Sequence, residues 1–208
     1  MVKLIEMVCI GNSGRSPVMR LLGIKRLQEL GQTGYSVDSS GISVKMLEEF
    51  SFPQKEMIWC VNHALTRGVY SPEEETVVRT ILESGQGDLT SYFKKAVPAI
   101  VREEHAYRAR VLGELGLNVA DIQPAQQTIP RGEVAAIITA DVPIAARVAE
   151  IYRGSAYTPI IASASELAGL PEITSLAGNF DWGSYSTVIR ELTERTPKAI
   201  DEILGRIK

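Results

Sequence analysis

A cysteine and an arginine with five residues between them stand at the centre of Val8-Cys9-Ile10-Gly11-Asn12-Ser13-Gly14-Arg15-Ser16-Pro17. The intervening glycines, asparagine and serine tolerate left-handed and other unusual backbone angles. A loop of that composition can curl until the N–H groups of Ile10, Gly11, Asn12, Ser13, Gly14, Arg15 and Ser16 point inward, a ring of donors suited to a tetrahedral oxyanion. A free thiol titrates near ~8.5, and both a helix N-terminus and a neighbouring guanidinium favour its thiolate. Cys9 is therefore expected to be a nucleophile ionised at neutral pH. Arg15, planar and permanently charged, can hold two oxygens of a phosphoryl group at once, which a lysine does only as a point charge. The Ser16 hydroxyl is close enough in sequence to donate to the Cys9 sulfur, first as nucleophile and later as leaving group. Cysteine also packs readily in cores, so the spacing alone does not decide the matter. A nucleotide-binding Walker loop requires Gly-Lys-Ser/Thr, whereas this chain has Gly14-Arg15-Ser16.

The elements needed to position such a loop are present on either side of it. Leu4 to Val8 is an apolar run with Glu6 its only charge, which reads as a buried parallel strand with Cys9 at its carboxyl end, where open α/β sheets bind ligands. Ser16 has the residue type of an N-cap and Pro17 that of a first helical position, predicting a helix to about Leu30 with its positive dipole end toward the loop. Further strands are expected at 35–38, 134–139 and 158–162, and further helices at about 103–115, after Asp141, and from about Ser184 to Ile207 with Pro197 bending the last. The alternation predicts an α/β fold, a three-layer α/β/α sandwich with a central four-stranded parallel sheet.

Composition narrows the class. With 208 residues, 45% of them hydrophobic, the chain can bury one substantial core. A net charge of −3 and no basic run argue against a nucleic-acid surface. No run approaches a membrane span, and Met1-Val2-Lys3 lacks a signal-peptide core. Two cysteines without metal-like spacing suit a reducing cytoplasm. His63 and His105 have no companions at ligand spacing, so no metal and no other cofactor is expected.

The segment Val8 to Pro17 resembles the signature of the low-molecular-weight protein tyrosine phosphatase family, which also includes thioredoxin-coupled arsenate reductases. Ser36-Val37-Asp38-Ser39-Ser40-Gly41 resembles that family's second strand and its Ser-Ala-Gly turn, Arg108 to Leu117 its helix ending in Leu-Gly-Ile, and Val134 to Asp141 its third strand with a terminal Asp. These segments extend the likeness over about two thirds of the chain, with only the first highly specific. The resemblance implies that Cys9 and Arg15 are catalytic and that Asn12 and Ser39 brace the loop. It also implies a general acid, an Asp usually followed by Pro before the last helix. The matching place is Gly178-Asn179-Phe180-Asp181-Trp182-Gly183-Ser184-Tyr185, which makes Asp181 the candidate although Trp182 stands where proline is usual. Glu172 after Pro171 is the alternative, and Asp181 is also of the type that caps helices. Phe180, Trp182 and Tyr185 either line a pocket for a flat aryl group or pack the loop down. Asp141 reads as a strand-end carboxylate that positions a neighbour.

Residues 43–102 depart from the family pattern, which crosses from the Ser-Ala-Gly turn to the next helix in a short segment. Helical signals at Met46–Phe50, Glu73–Leu82 and Leu89–Val101, with Phe52, Trp59, Tyr70, Tyr92 and Phe93 among them, read as a helical cap inserted in a single 1–208 domain. Such a cap can shape the substrate pocket, form a homodimer surface or merely pack its aromatics inward. The expected activity is a cysteine-dependent phosphatase acting on a phosphorylated protein or a small aryl phosphate through a phosphocysteine. Arsenate reduction with the same loop is an alternative, in which Cys60 is the only further thiol. A catalytically weak oxyanion-binding module is the third.

Overall fold

The structure is a computed structural model that describes residues 2–173 and 181–207. Four parallel strands, β1 (Lys3–Cys9), β2 (Tyr35–Gly41), β3 (Val134–Thr139) and β4 (Ile160–Ser163), form a sheet in the order β2-β1-β3-β4. As a central strand, β1 is buried from Leu4 to Cys9, which accounts for its apolar run. The exception is Glu6, fully buried and opposite Asp38 in the β1–β2 register. Arg131 lies between these two carboxylates, 2.9 Å from Glu6 and 3.6 Å from Asp38.

Helix α1 (Arg15–Glu29) links β1 to β2, and α6 (Val142–Tyr152) links β3 to β4. These crossovers run in opposite directions along the sheet, and the right-handed rule for such connections puts the two helices on opposite faces, making three layers. The last helix, α8 (Trp182–Arg206), packs beside α1 and α7 (Ala164–Ala168). It continues through Pro197. Its Val188, Ile189, Leu192, Ile200 and Ile203 join the apolar core built on the strands.

Between β2 and β3 the chain forms α2 (Val44–Glu49), α3 (Gln54–Thr66), α4 (Pro72–Ser84) and α5 (Thr90–Glu114). Ser71 and Glu74 close a capping box at the start of α4, and Gly85 ends it at a positive φ. Helix α3 escaped the sequence reading, although Met57, Val61 and Ala64 stand at helical spacing on its buried side. The helices expected at 89–101 and 103–115 are one element. Pro98 removes a single hydrogen bond, and α5 runs through it because both halves are anchored, Phe93, Ala96 and Val97 in one apolar cluster and Val111 and Leu112 in the main core. The first cluster, with Met57, Val61, Ala64, Tyr70, Val78 and Leu89, is a second core joining α3, α4 and α5.

Candidate active site

The sheet delivers Cys9 to the carboxyl end of β1, and the chain then loops over Ile10–Gly14 into α1. Two features hold that loop in shape. Asn12 adopts a positive φ of 51°, donates from Nδ2 to the Ser39 carbonyl at 3.1 Å, and accepts at Oδ1 from the Ser16 hydroxyl at 2.9 Å. The end of β2 is pressed against the loop from outside: Ile42 N–H donates to the Cys9 carbonyl at 3.1 Å and Ser43 N–H to that of Ile10 at 2.9 Å. A Cβ on Gly41 would lie 2.6 Å from Ile10 O and 2.7 Å from Asn12 N, so the approach requires glycine. The contact of Ser39 with the loop runs through its backbone carbonyl.

The expected N-cap at Ser16 is corrected. Helix α1 begins at Arg15 with Gly14 as its cap residue, and Ser16 lies inside the first turn. Its buried hydroxyl is drawn instead to the loop, 3.0 Å from Cys9 Sγ, 2.9 Å from Asn12 Oδ1 and 3.2 Å from the Ser40 carbonyl. With a single hydrogen it donates to one of these at a time.

Cys9 is 3% exposed and opens onto a cavity of about 430 Å³. Arg15 lines the same cavity, and its Nη1 donates to Asp141 Oδ2 at 2.8 Å. Asp141 is the N-cap of α6, taking the Ile144 N–H on its other oxygen at 2.9 Å. Burial by itself lowers the Arg15 pKa, but the Cys9 sulfur and the Asp141 carboxylate outweigh it and the net direction is upward. One wall of the cavity is apolar and comes from α2, α3, α5 and the turn before α3, with Leu47, Phe52, Trp59, Phe93, Val97 and Ile100; Pro143, Ile144 and Arg147 of α6 face it.

No protein-family model and no curated protein sequence matches this chain. Solved structures do. A protein tyrosine phosphatase from Entamoeba histolytica aligns with a TM-score of 0.57 at 14% identity, over 98% of this chain and 97% of that one. The low-molecular-weight protein tyrosine phosphatase from T. tengcongensis gives 0.52 at 16%, over 98% and 99%. The Drosophila arginine phosphatase gives 0.53 at 13%, over 100% and 98%. The chain has the low-molecular-weight protein tyrosine phosphatase fold.

Within this phosphatase fold, α5 brings to the loop two residues that sequence reasoning missed. Glu104 accepts a hydrogen bond from the Ser13 hydroxyl, Arg108 donates to the Ser13 carbonyl, and a Cβ on Gly14 would run into the Glu104 carboxyl. Burial raises the Glu104 pKa against the opposing pull of Ser13, Arg15 and Arg108. The pair stands at helical i, i+4 spacing, which in sequence is indistinguishable from an ordinary surface ion pair. Tyr185 of α8 is fully buried against Tyr107, with ring centroids 5.6 Å apart, rather than at a pocket mouth. Trp182 likewise packs down, under Arg110 at 3.9 Å and beside Tyr107. Phe180, with Gly178 and Asn179, lies outside the described residues.

Asp181 caps α8, accepting from Ser184 N–H at 2.8 Å, and this bond holds its carboxyl below the usual range. It is not among the described residues that line the cavity, and neither is Glu172, which accepts from Val142 N–H at 3.3 Å. Cys60 does line it, half-buried, with its thiol pushed up to about 11 by burial. His63 stacks on Trp59 and pairs with Glu103 at 2.8 Å. Among the described residues no group of three His, Cys, Asp or Glu side chains is placed to hold a metal ion, and no helix is long and apolar enough to cross a membrane.

Proposed function

We propose that this protein hydrolyses phosphate monoesters with an aryl leaving group through a phosphocysteine at Cys9. The observation that carries this reading is the convergence of Cys9 Sγ, the braced Ile10–Gly14 loop and the Asp141-anchored Arg15 on one cavity whose far wall is apolar. In the proposed cycle the Cys9 thiolate attacks phosphorus in line, while Arg15 and the N–H groups of residues 10–16 take the charge on the equatorial oxygens. Ser16, 3.0 Å from the sulfur, supplies a hydrogen bond to it as nucleophile and as leaving group. Water then hydrolyses the intermediate. The apolar wall, with Phe52, Trp59 and Phe93, suits a phenyl ring, and in this reading residues 43–102 are a cap that selects substrate. The solved structures of the same fold, two protein tyrosine phosphatases and an arginine phosphatase, support the assignment.

Arsenate reduction through Cys60 fits less well, because a thiol raised to about 11 is almost entirely protonated at neutral pH and attacks a disulfide or adduct slowly. The test is hydrolysis of an aryl phosphate with vanadate as competitive inhibitor. Cys9→Ser should lower kcat on the order of 10⁴-fold or more while phosphate binding persists. Oxyanion binding without turnover across aryl and alkyl esters would leave the protein an anion-binding module.

A further inference from the structure

A phosphate ester leaves as an alcohol only if its bridging oxygen receives a proton, so a carboxylic acid must stand over the phosphate loop with its proton still on it. Four carboxyls are to be compared. Asp141 has both oxygens committed, one to the Ile144 N–H and one to Arg15, and so has none to offer a substrate. Asp181 serves the Ser184 N–H, and Glu172 is exposed and turned to the Val142 N–H. Glu104 alone among them both lines the cavity with Cys9 and Arg15 and has an oxygen to spare, since the Ser13 hydroxyl occupies only Oε2.

We propose that Glu104 is the catalytic acid and base of this site, a role that rests on the phosphatase reading above. Its carboxyl is fixed at the loop rim by Ser13 and by contact with Gly14, and is carried on the rigid α5. In the first step the Cys9 thiolate forms the S–P bond, the bond from phosphorus to the ester oxygen breaks, and the Glu104 proton passes to that oxygen. In the second, the Glu104 carboxylate takes a proton from water as the water oxygen bonds phosphorus and the S–P bond breaks. Thiolate and protonated Glu104 are both restored. Burial supports the role by raising the Glu104 pKa, whereas the Ser184 N–H lowers that of Asp181.

The experiment compares wild type, Glu104→Gln and Asp181→Asn on a nitrophenyl phosphate and on a benzyl or alkyl phosphate, across pH. E104Q should lose on the order of 10²-fold in kcat with the poor leaving group and only a few-fold with nitrophenol, and the basic limb of its kcat profile should vanish. Its vanadate inhibition constant should match wild type, showing the loop intact. Glu104→Asp, which keeps the carboxyl, should retain the basic limb and answers the question if E104Q does not fold. Equal losses of E104Q with both esters, or a leaving-group-dependent loss in D181N alone, overturns the Glu104 assignment while leaving the phosphatase reading standing. Absence of any Cys9-dependent turnover in wild type overturns both.

Discussion

Arg15 has two obligations in this site, and their geometry determines how replaceable it is. Its Nη1 is committed to Asp141 at 2.8 Å, so oxyanion binding falls to the remaining N–H groups of the same planar fork. A lysine has one compact charge and can satisfy either the carboxylate or the substrate, but not both with fixed orientation. Arg15→Lys is therefore expected to lower kcat/KM by roughly 10²–10³-fold with little change in folding stability. The check is steady-state kinetics beside a denaturation curve, and near-normal kcat/KM in the lysine variant would deny the guanidinium a role in charge stabilisation. Ser16 makes a related point about what residue type conveys. A serine before Pro17 reads as a helix cap, and the hydroxyl is spent on Cys9, Asn12 and the Ser40 carbonyl instead, because Gly14 already opens the helix.

Between elements, the decisive contact is the end of β2 against the outside of the phosphate loop. Ile42 and Ser43 N–H groups bond the loop's carbonyls, and Gly41 has no room for a side chain. Gly41→Ala must push Ile10 and Asn12 aside, with an expected cost of about 1–3 kcal/mol in stability. The displaced loop should also lose vanadate affinity. A variant that is destabilised but binds vanadate normally would show that this contact does not set the loop's shape. Helix α5 is the second case. Its outer half belongs to the core shared with α3 and α4, its inner half to the main core, and the residues between them that reach the loop are Glu104 and Arg108.

For the molecule as a whole, the buried charges make stability depend on pH. Burial raises the pKa of Glu6 above its ordinary 4.5, outweighing the opposing effects of Ser40 and Arg131. A carboxyl raised in the folded state binds more protons there than when unfolded. Its contribution is complete below pH 4.5 and is lost as pH climbs through the folded value. Relative to Glu6→Gln, the wild type should therefore be at its best in acid and lose ground toward neutrality. Urea midpoints for both proteins between about pH 4 and pH 8 measure this, and parallel curves would contradict it.

The amino-acid sequence by itself determined the strand-to-helix junction at Cys9, the loop composition between Cys9 and Arg15, the parallel α/β order and most helix ends, such as the Ser71-Pro72 start and Gly85 stop of α4. These are legible because backbone propensity and capping act over one turn of chain. Tertiary structure alone decided that Glu104 meets Ser13 from 91 residues away, that Asp141 takes Arg15 across 126, and that Asp181 is not among the described residues lining the cavity. It also decided that α5 persists through Pro98. The cause is that burial, a property of packed faces and not of neighbouring residues, selects which side chains share a cavity and which way a carboxyl's pKa moves.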